Sequence, residues 1–372
     1  MTVLPGTGAQ QYACTGCGAA LEFAPGTTGL VCPYCQAQQA LSPEQASPAG
    51  STVALGKHDY FAYRALPHTA VAELPAFQLA CRGCGSTNST TAVSARCPHC
   101  TAPLVSVDTL DGRLLAADAV VPFAVDKAAA NAAFKEWTGS RWFAPNALKK
   151  VGTTEKLHGA FAPHWGFDDD TISDYTGERG EHYYVTETYT EMENGKSVTK
   201  TRQVQHTRWY PAGGQVRRAF QDVLATAASS PDQKVLGKLG PWPVLDAGPF
   251  RPELLAGLDV PRYDRDPADG WVDAQQQMAS VIEQDCRQDI GGDEQRVHQV
   301  STRDADVLFR LLLMPLWLAT YLAAGVTYTV YINANTGKVI GDRPYSKAKI
   351  AAAVALALVV ALVAYLVYVG TR

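Results

Sequence analysis

Hydrophobic and polar positions follow different periods in different parts of the chain. Ile350 to Val369 has no polar face: it is twenty residues, IAAAVALALVVALVAYLVYV, without a charge. At about 1.5 Å per residue such a helix spans about 30 Å, the thickness of a bilayer's hydrocarbon core. Tyr365 and Tyr368 fall where an interfacial aromatic belt sits. Arg343, Lys347 and Lys349 precede the helix, which by the positive-inside rule leaves the large N-terminal part in the cytoplasm. A buried core helix is the competing reading; the lack of charges and caps counts against it.

A second apolar run, Leu311 to Gly325, is only fifteen residues and contains Pro315, Thr320 and Tyr321. It is too short to span a membrane and reads as a buried strand. In Trp271 to Ile290, the positions Met278, Val281, Ile282, Cys286 and Ile290 repeat with helical spacing, which predicts an amphipathic helix with Cys286 on its core face. Val216, Phe220, Val223, Leu224 and Ala227 predict similar behaviour for Gln215 to Ala228. Asp126 to Trp137 reads as a further helix. Asn194-Gly195 is a strong two-residue hairpin signal. A turn there sets Glu193 opposite Lys196, Glu187 opposite Arg202, Val185 opposite Val204 and Glu181 opposite Arg208.

These patterns predict an α+β fold with five parts: a ribbon over 1–41, a linker over 42–76, a second ribbon over 77–104, a globular α+β domain over 105–346 and a membrane anchor over 347–372. The linker reading rests on SPEQASPAGSTVAL, Ser42 to Leu55. Pro163-His164-Trp165 and Pro315-Leu316-Trp317, 152 residues apart, raise a degenerate duplication of the middle, with chance the competing reading.

The ribbons come from cysteine spacing. Eight of nine cysteines form four C-x-x-C pairs: Cys14/Cys17, Cys32/Cys35, Cys81/Cys84 and Cys97/Cys100. Two residues between thiols let both sulfurs face one ion, and two such turns complete a tetrahedral Cys₄ site. The spacing recurs, since Cys14 to Cys81 and Cys17 to Cys84 are both 67 residues apart. Gly18 and Gly85 follow their pairs where a knuckle needs positive φ. Thioredoxin-type redox chemistry is the competing reading, but it uses one pair beside a βαβ unit. The cofactors expected are two structural Zn²⁺ ions, because four thiolates leave no open position for catalysis.

Charge then narrows the function. The formal net charge is −4, and eight thiolates with two zinc ions make it −8. From Gln10 to Ala40 the only charged side chain is Glu22, so ribbon 1 stands near −3. In ribbon 2, Arg82 and Arg96 only cancel the −2 of its metal centre. Phosphate binding needs clustered Lys and Arg; nucleic acid is disfavoured and protein contact favoured. Lys196 to Arg218 is basic, but its opposed strand is acidic; an anionic-lipid contact by Arg217 and Arg218 stays open. The N-terminus has neither a basic region nor an apolar core of a secretory leader, which predicts a reducing compartment.

Catalytic signatures are absent: there is no G-x-x-x-x-G-K-[ST], H-E-x-x-H or G-x-S-x-G. Asp168-Asp169-Asp170 has the residue types to hold a divalent cation but reads as a solvated loop. A hydrolytic site beside Trp165 and these aspartates is the remaining enzymatic reading. No enzyme activity and no small-molecule substrate are expected.

Leu313-Met314-Pro315-Leu316-Trp317-Leu318-Ala319-Thr320-Tyr321, Tyr328-Thr329-Val330-Tyr331-Ile332-Asn333, Thr336-Gly337-Lys338-Val339, Gly341 and Arg343-Pro344 resemble a bacterial family of membrane-anchored double zinc-ribbon proteins. Its members are often labelled primosomal protein N′-like or helicase-like. The resemblance implies N-terminal ribbons, an α+β middle with a PepSY-like strand pair turning at Gly337, and a membrane helix. It also implies protein partners of the SPFH or phage-shock-A type and a recruiting role at the membrane. Gln36 and Thr101 stand where many ribbons have Gly after the later knuckles. A helicase needs a phosphate-binding loop, and this sequence has none; a membrane-tethered nucleic-acid binder is the alternative function.

Overall fold

The computed structural model describes residues 11–27, 29–41, 56–67, 69, 71–106, 110, 114–140, 157–193, 196–230, 233–323, 326–341 and 347–370. The linker 42–55, the turn residues Asn194 and Gly195, and Arg343-Pro344 lie outside the described residues.

The first ribbon is a three-stranded antiparallel sheet of β1 (Glu22–Phe23), β2 (Gly29–Val31) and β3 (Gln38–Ala40), in that order. After it come β4 (His58–Asp59) and α1 (Tyr60–Ala65). The second ribbon pairs β5 (Phe77–Ala80) with β6 (Thr87–Thr90), and β7 (Ala92–Arg96) with β8 (Pro103–Val105). Then follow β9 (Ala119–Val120) and α2 (Lys127–Gly139), whose N-cap Asp126 accepts the Ala129 N–H at 2.7 Å.

The scaffold is one sheet, antiparallel except where β9 joins β14 in parallel, built on three very long strands: β10 (His158–Glu193), β11 (Lys196–Thr226) and β14 (Glu294–Ala323). Between β11 and β14 run α3 (Gln233–Leu239), β12 (Gly248–Pro249), β13 (Val260–Pro261) and α4 (Pro267–Ile290). The order across the sheet is β11-β10-β14-β15-β16, where β15 is Val326–Asn333 and β16 is Val339–Gly341. An Asn333 side chain that accepts the N–H groups of Asn335 and Thr336 shapes the β15–β16 turn, and Gly337 takes φ 74° there.

At its base the sheet is covered on both faces, which is why Leu311 onward reads as an unbroken apolar run rather than an alternation. Phe161, Trp165, Phe309, Leu311 and Trp317 point to the face shared by α4, α2 and the ribbons. Ala162, Leu312, Met314 and Leu316 point to the opposite face, under α3 and Trp242. Further along, α4 is the described element that covers the sheet. It starts at Pro267 behind the cap Asp266, buries Trp271, Ala274, Met278, Ile282, Cys286 and Ile290, and stops at Gly291 with φ 63°. Cys286 is fully buried, as its spacing predicts, whereas Val281 faces outward. Beyond Gly180 β10 pairs with β11 alone, so residues 181–193 and 196–208 form a two-stranded arm.

Three expectations change. Gln215–Ala228 is not a helix: it is the last part of β11, running to Thr226. Its apolar spacing mimics a helix because a bulge at Asp222 shifts the strand's parity. Val216 and Phe220 before the bulge, and Val223, Ala225 and Ala227 after it, reach the same core. Residues 57–65 are not linker. β4 pairs with β14, and Tyr60 is buried among Phe167, Trp271 and Phe309. Finally, Asp168–Asp170 is no loop but mid-strand.

That acidic run sits where the sheet bulges on both sides of β10. Gln221 and Asp222 of β11 oppose Asp168, and Asp306 and Val307 of β14 oppose Asp169. Asp222 and Asp306 take φ of 46° and 55°, a conformation that short polar side chains tolerate. The Asp168 carboxylate accepts the Asp222 N–H at 2.8 Å, and the Asp169 carboxylate accepts the Ala305 N–H at 3.2 Å. Each aspartate thus satisfies a backbone donor freed by a bulge. Around them, Lys57 pairs with Asp168, and the Arg310 guanidinium forks onto Asp222 at 2.8 and 2.7 Å.

The last described element, α5 (Lys347–Gly370), contains the predicted apolar segment. From Lys349 to Gly370 it is long and apolar enough to cross a membrane, and none of its apolar window is buried against the rest of the chain.

Candidate metal centres

The eight predicted cysteines come together as two groups of four. Within each group the four sulfurs all lie within 4.8 Å of one another. Cys14 and Cys35 are 3.5 Å apart at Sγ, as are Cys17 and Cys32; Cys81 and Cys100 are also 3.5 Å apart, and Cys84 and Cys97 3.7 Å. A Zn–S bond of about 2.3 Å places the sulfurs of a tetrahedron about 3.8 Å apart. The donor set and its spacing therefore fit two structural Zn²⁺ ions.

All four knuckles share one hydrogen-bond pattern. The residue after the second cysteine donates its N–H to the first cysteine's carbonyl: Gly18 to Cys14 at 2.9 Å, Gln36 to Cys32 at 3.1 Å, Gly85 to Cys81 at 2.8 Å and Thr101 to Cys97 at 2.9 Å. That residue must take positive φ. Gly18 and Gly85 do so at 73° and 75°, and Gln36 and Thr101 match them at 61° and 62°. The missing glycines therefore leave the turn unchanged and strain only the backbone, most for β-branched Thr101.

The first cysteine of each pair is buried: Cys14, Cys32, Cys81 and Cys97. These anchor the knuckles to the interior, while Cys17, Cys35 and Cys84 face solvent. Polar donors favour the thiolate a metal needs. The Ser86 hydroxyl, 3.4 Å from Cys97 Sγ, leads the interactions that pull that thiol down to about 5. The backbone N–H groups of Cys35 and Tyr34 do the same for Cys32, to about 6, while in the same clusters the Cys17, Cys35 and Cys100 thiols shift upward.

The two ribbons are clamped together. Gln11 donates to the Pro103 carbonyl at 3.0 Å and accepts the Arg82 N–H at 3.1 Å. Arg96 forks onto Glu22 at 2.6 and 2.9 Å and also reaches the Gly257 carbonyl. Nothing in the local sequence marks Gln11 as a bridge; the pairing of an isolated Glu22 with an isolated Arg96 was the one available signal. Between the ribbons runs a groove of about 560 Å³, with Cys17 and Cys100 in its walls beside Tyr34 and Arg82.

The basic strand behaves as its register predicts, with refinements. Glu193 faces Lys196, Glu187 faces Arg202, Val185 faces Val204 and Glu181 faces Arg208. Only Arg202 bonds its direct partner, Glu187, at 3.0 Å; Lys200 reaches diagonally to Glu191 at 3.0 Å and Glu193 at 3.3 Å. Arg208 lies over the Tyr183 ring at 5.0 Å. Arg218 is held by Asp285 of α4, so of the two arginines kept for lipid contact one is already engaged. The Trp165 indole donates to the Arg265 carbonyl at 3.0 Å inside the core.

As a class, then, this is a protein with two Cys₄ zinc-ribbon centres on a sheet-dominated α+β scaffold and one apolar candidate membrane helix. Residues 10–44 match the family model described as the FORGETTER1 first zinc ribbon domain. Over 252 residues the chain is 22% identical to the uncharacterized protein YdjG of Bacillus subtilis (strain 168), covering 67% of this chain and 69% of that one. No solved structure matches.

Proposed function

We propose that this protein is a membrane-anchored, cytoplasm-facing adaptor that docks protein partners through its zinc ribbons and has no catalysis of its own. The observation that carries this reading is the groove between the two metal centres. Its lining includes an aromatic, Tyr34 at 77% exposure, a cation, Arg82, and the Glu22 carboxylate that Arg96 already holds. An aromatic with an arginine is what protein interfaces favour, and a phosphate backbone requires more cations than this. The ion pairs along the arm and at Arg218 reduce the cationic surface left for nucleic acid. SPFH-type or phage-shock-A-type proteins are the partner class that the resemblance implies. The Pro163 and Pro315 segments lie on neighbouring strands, with Phe161 opposite Pro315; a duplicated, PepSY-like middle belongs to this proposal too.

The test is affinity purification of the full zinc-loaded chain from solubilised membranes, comparing the native protein with Tyr34→Ala and Arg82→Glu. A specific protein that co-elutes with the native chain and is lost from both variants, at unchanged zinc content, supports the adaptor. Recovery of nucleic acid alone, with affinity falling steeply as salt rises, favours the tethered nucleic-acid binder instead.

A further inference from the structure

Between ribbon 2 and the main sheet lies a cavity of about 260 Å³. Val93 of β7, Leu115, Phe250, and Leu311 and Leu313 of β14 give it hydrocarbon walls. Protein interiors pack at crystal density and keep few voids larger than a water molecule. A space of this size lined mainly by hydrocarbon takes apolar guests. It falls just under the range of about 300–1,000 Å³ usual for drug-sized ligands, which fits one short chain rather than a multi-ring molecule.

Three wall residues are polar: Ser106, Arg262 and Tyr263. Tyr263 is only 4% exposed, and its hydroxyl oxygen accepts the Leu115 N–H at 3.0 Å. Its own proton is thereby left to donate. Burial pushes this hydroxyl's pKa up, so it stays a neutral donor. Beside it, Arg262 is pinned by the Pro75 and Leu74 carbonyls at 2.8 and 3.3 Å and by the Phe77 ring, which fixes a positive charge in the wall. A donor and a cation at the edge of a hydrocarbon space select an anionic oxygen on an apolar tail.

We propose that this cavity binds one medium-length acyl chain, its carboxylate accepting the Tyr263 proton within the field of Arg262. The site does not rest on the adaptor reading. Nothing in its geometry depends on a partner.

The test uses the full zinc-loaded chain in membranes and a photoactivatable decanoic acid. Labelled peptides should include the stretch from Leu114 to Ala117 or Val93, saturably, with decanoate competing better than methyl decanoate. Val93→Trp should abolish that labelling while labelling of α5 and zinc content stay unchanged. The isosteric Tyr263→Phe should raise the competing decanoate concentration about tenfold or more, the loss of one hydrogen bond to a charged group. Labelling confined to α5, or cavity labelling that both substitutions leave unchanged, overturns the proposal. Equal competition by the methyl ester overturns the carboxylate assignment.

Discussion

Thr101 shows how much a single residue can be asked to bear. Its φ of 62° is the conformation the knuckle requires and the one a β-branched side chain resists most. The metal centre over-determines the turn, so the strain persists. Thr101→Gly should therefore stabilise the zinc-loaded protein by about 1 kcal/mol, read as a higher denaturation midpoint at unchanged zinc stoichiometry. A second residue-scale effect sits under α4. Asp169 is 1% exposed, and its second carboxylate oxygen lacks a well-formed hydrogen bond among the described residues. Burial first, then the neighbouring Asp304 carboxylate, raises its pKa to about 7. A raised carboxyl pKa means that the folded state prefers the proton. The contribution is complete below the ordinary carboxylate range and is lost as pH rises through about 7. Thermal stability should accordingly fall from about pH 4 to about pH 7 and level off above it, and Asp169→Asn should flatten that slope.

At the scale of the element, the line of bulges across β11, β10 and β14 does the work that the sequence hides. Asp222 is at once the positive-φ residue of its bulge and the partner of Arg310, with the two side chains 8% and 7% exposed. Removing one member of such a pair leaves a buried charge without compensation. Asp222→Ala should cost about 3–5 kcal/mol in urea denaturation, and adding Arg310→Met should recover a large part of it. A merely solvated aspartate would show neither effect. The β11 segment also explains why a helix was expected there. Val216 and Phe220 are four apart, as are Val223 and Ala227, which strand alternation allows; the bulge adds the step of three from Phe220 to Val223 by changing which parity faces the core. Periodicity in sequence cannot distinguish a one-residue insertion in a strand from a turn of helix.

Across the whole molecule the ribbons are not appendages. Cys81 and Cys97 lie in one apolar cluster with Trp165, Phe167 and Met278, and Cys14 and Cys32 in another with Phe161 and Trp317. β13 hydrogen-bonds to β7 of ribbon 2, and the Phe23 N–H of ribbon 1 donates to the Ala256 carbonyl. Zinc removal should therefore weaken more than the ribbons. Chelation, or Cys81→Ser, should lower the melting temperature of the main sheet followed by tryptophan fluorescence, in step with zinc release. If the sheet melts at the same temperature with and without metal, the ribbons are independent of it.

What the sequence by itself determined was local chemistry and local period. Cysteine spacing picked out the eight thiols that the fold gathers into two groups of four, because a knuckle is built from residues three apart. The Asn-Gly turn predicted the register of the arm, because one hairpin turn sets every pair along two strands. An uncharged twenty-residue run was enough to mark an apolar helix. Only the tertiary structure decided what depends on distant segments. It set Asp168 and Asp169 as partners for bulges in two other strands, brought Tyr60 into the core, and tied Gln11 to ribbon 2. It also left a hydrocarbon-lined cavity where three separate stretches fail to meet. Those outcomes follow from packing and from backbone donors that need acceptors. Both are satisfied by whichever residue arrives in space, not by its neighbour in sequence.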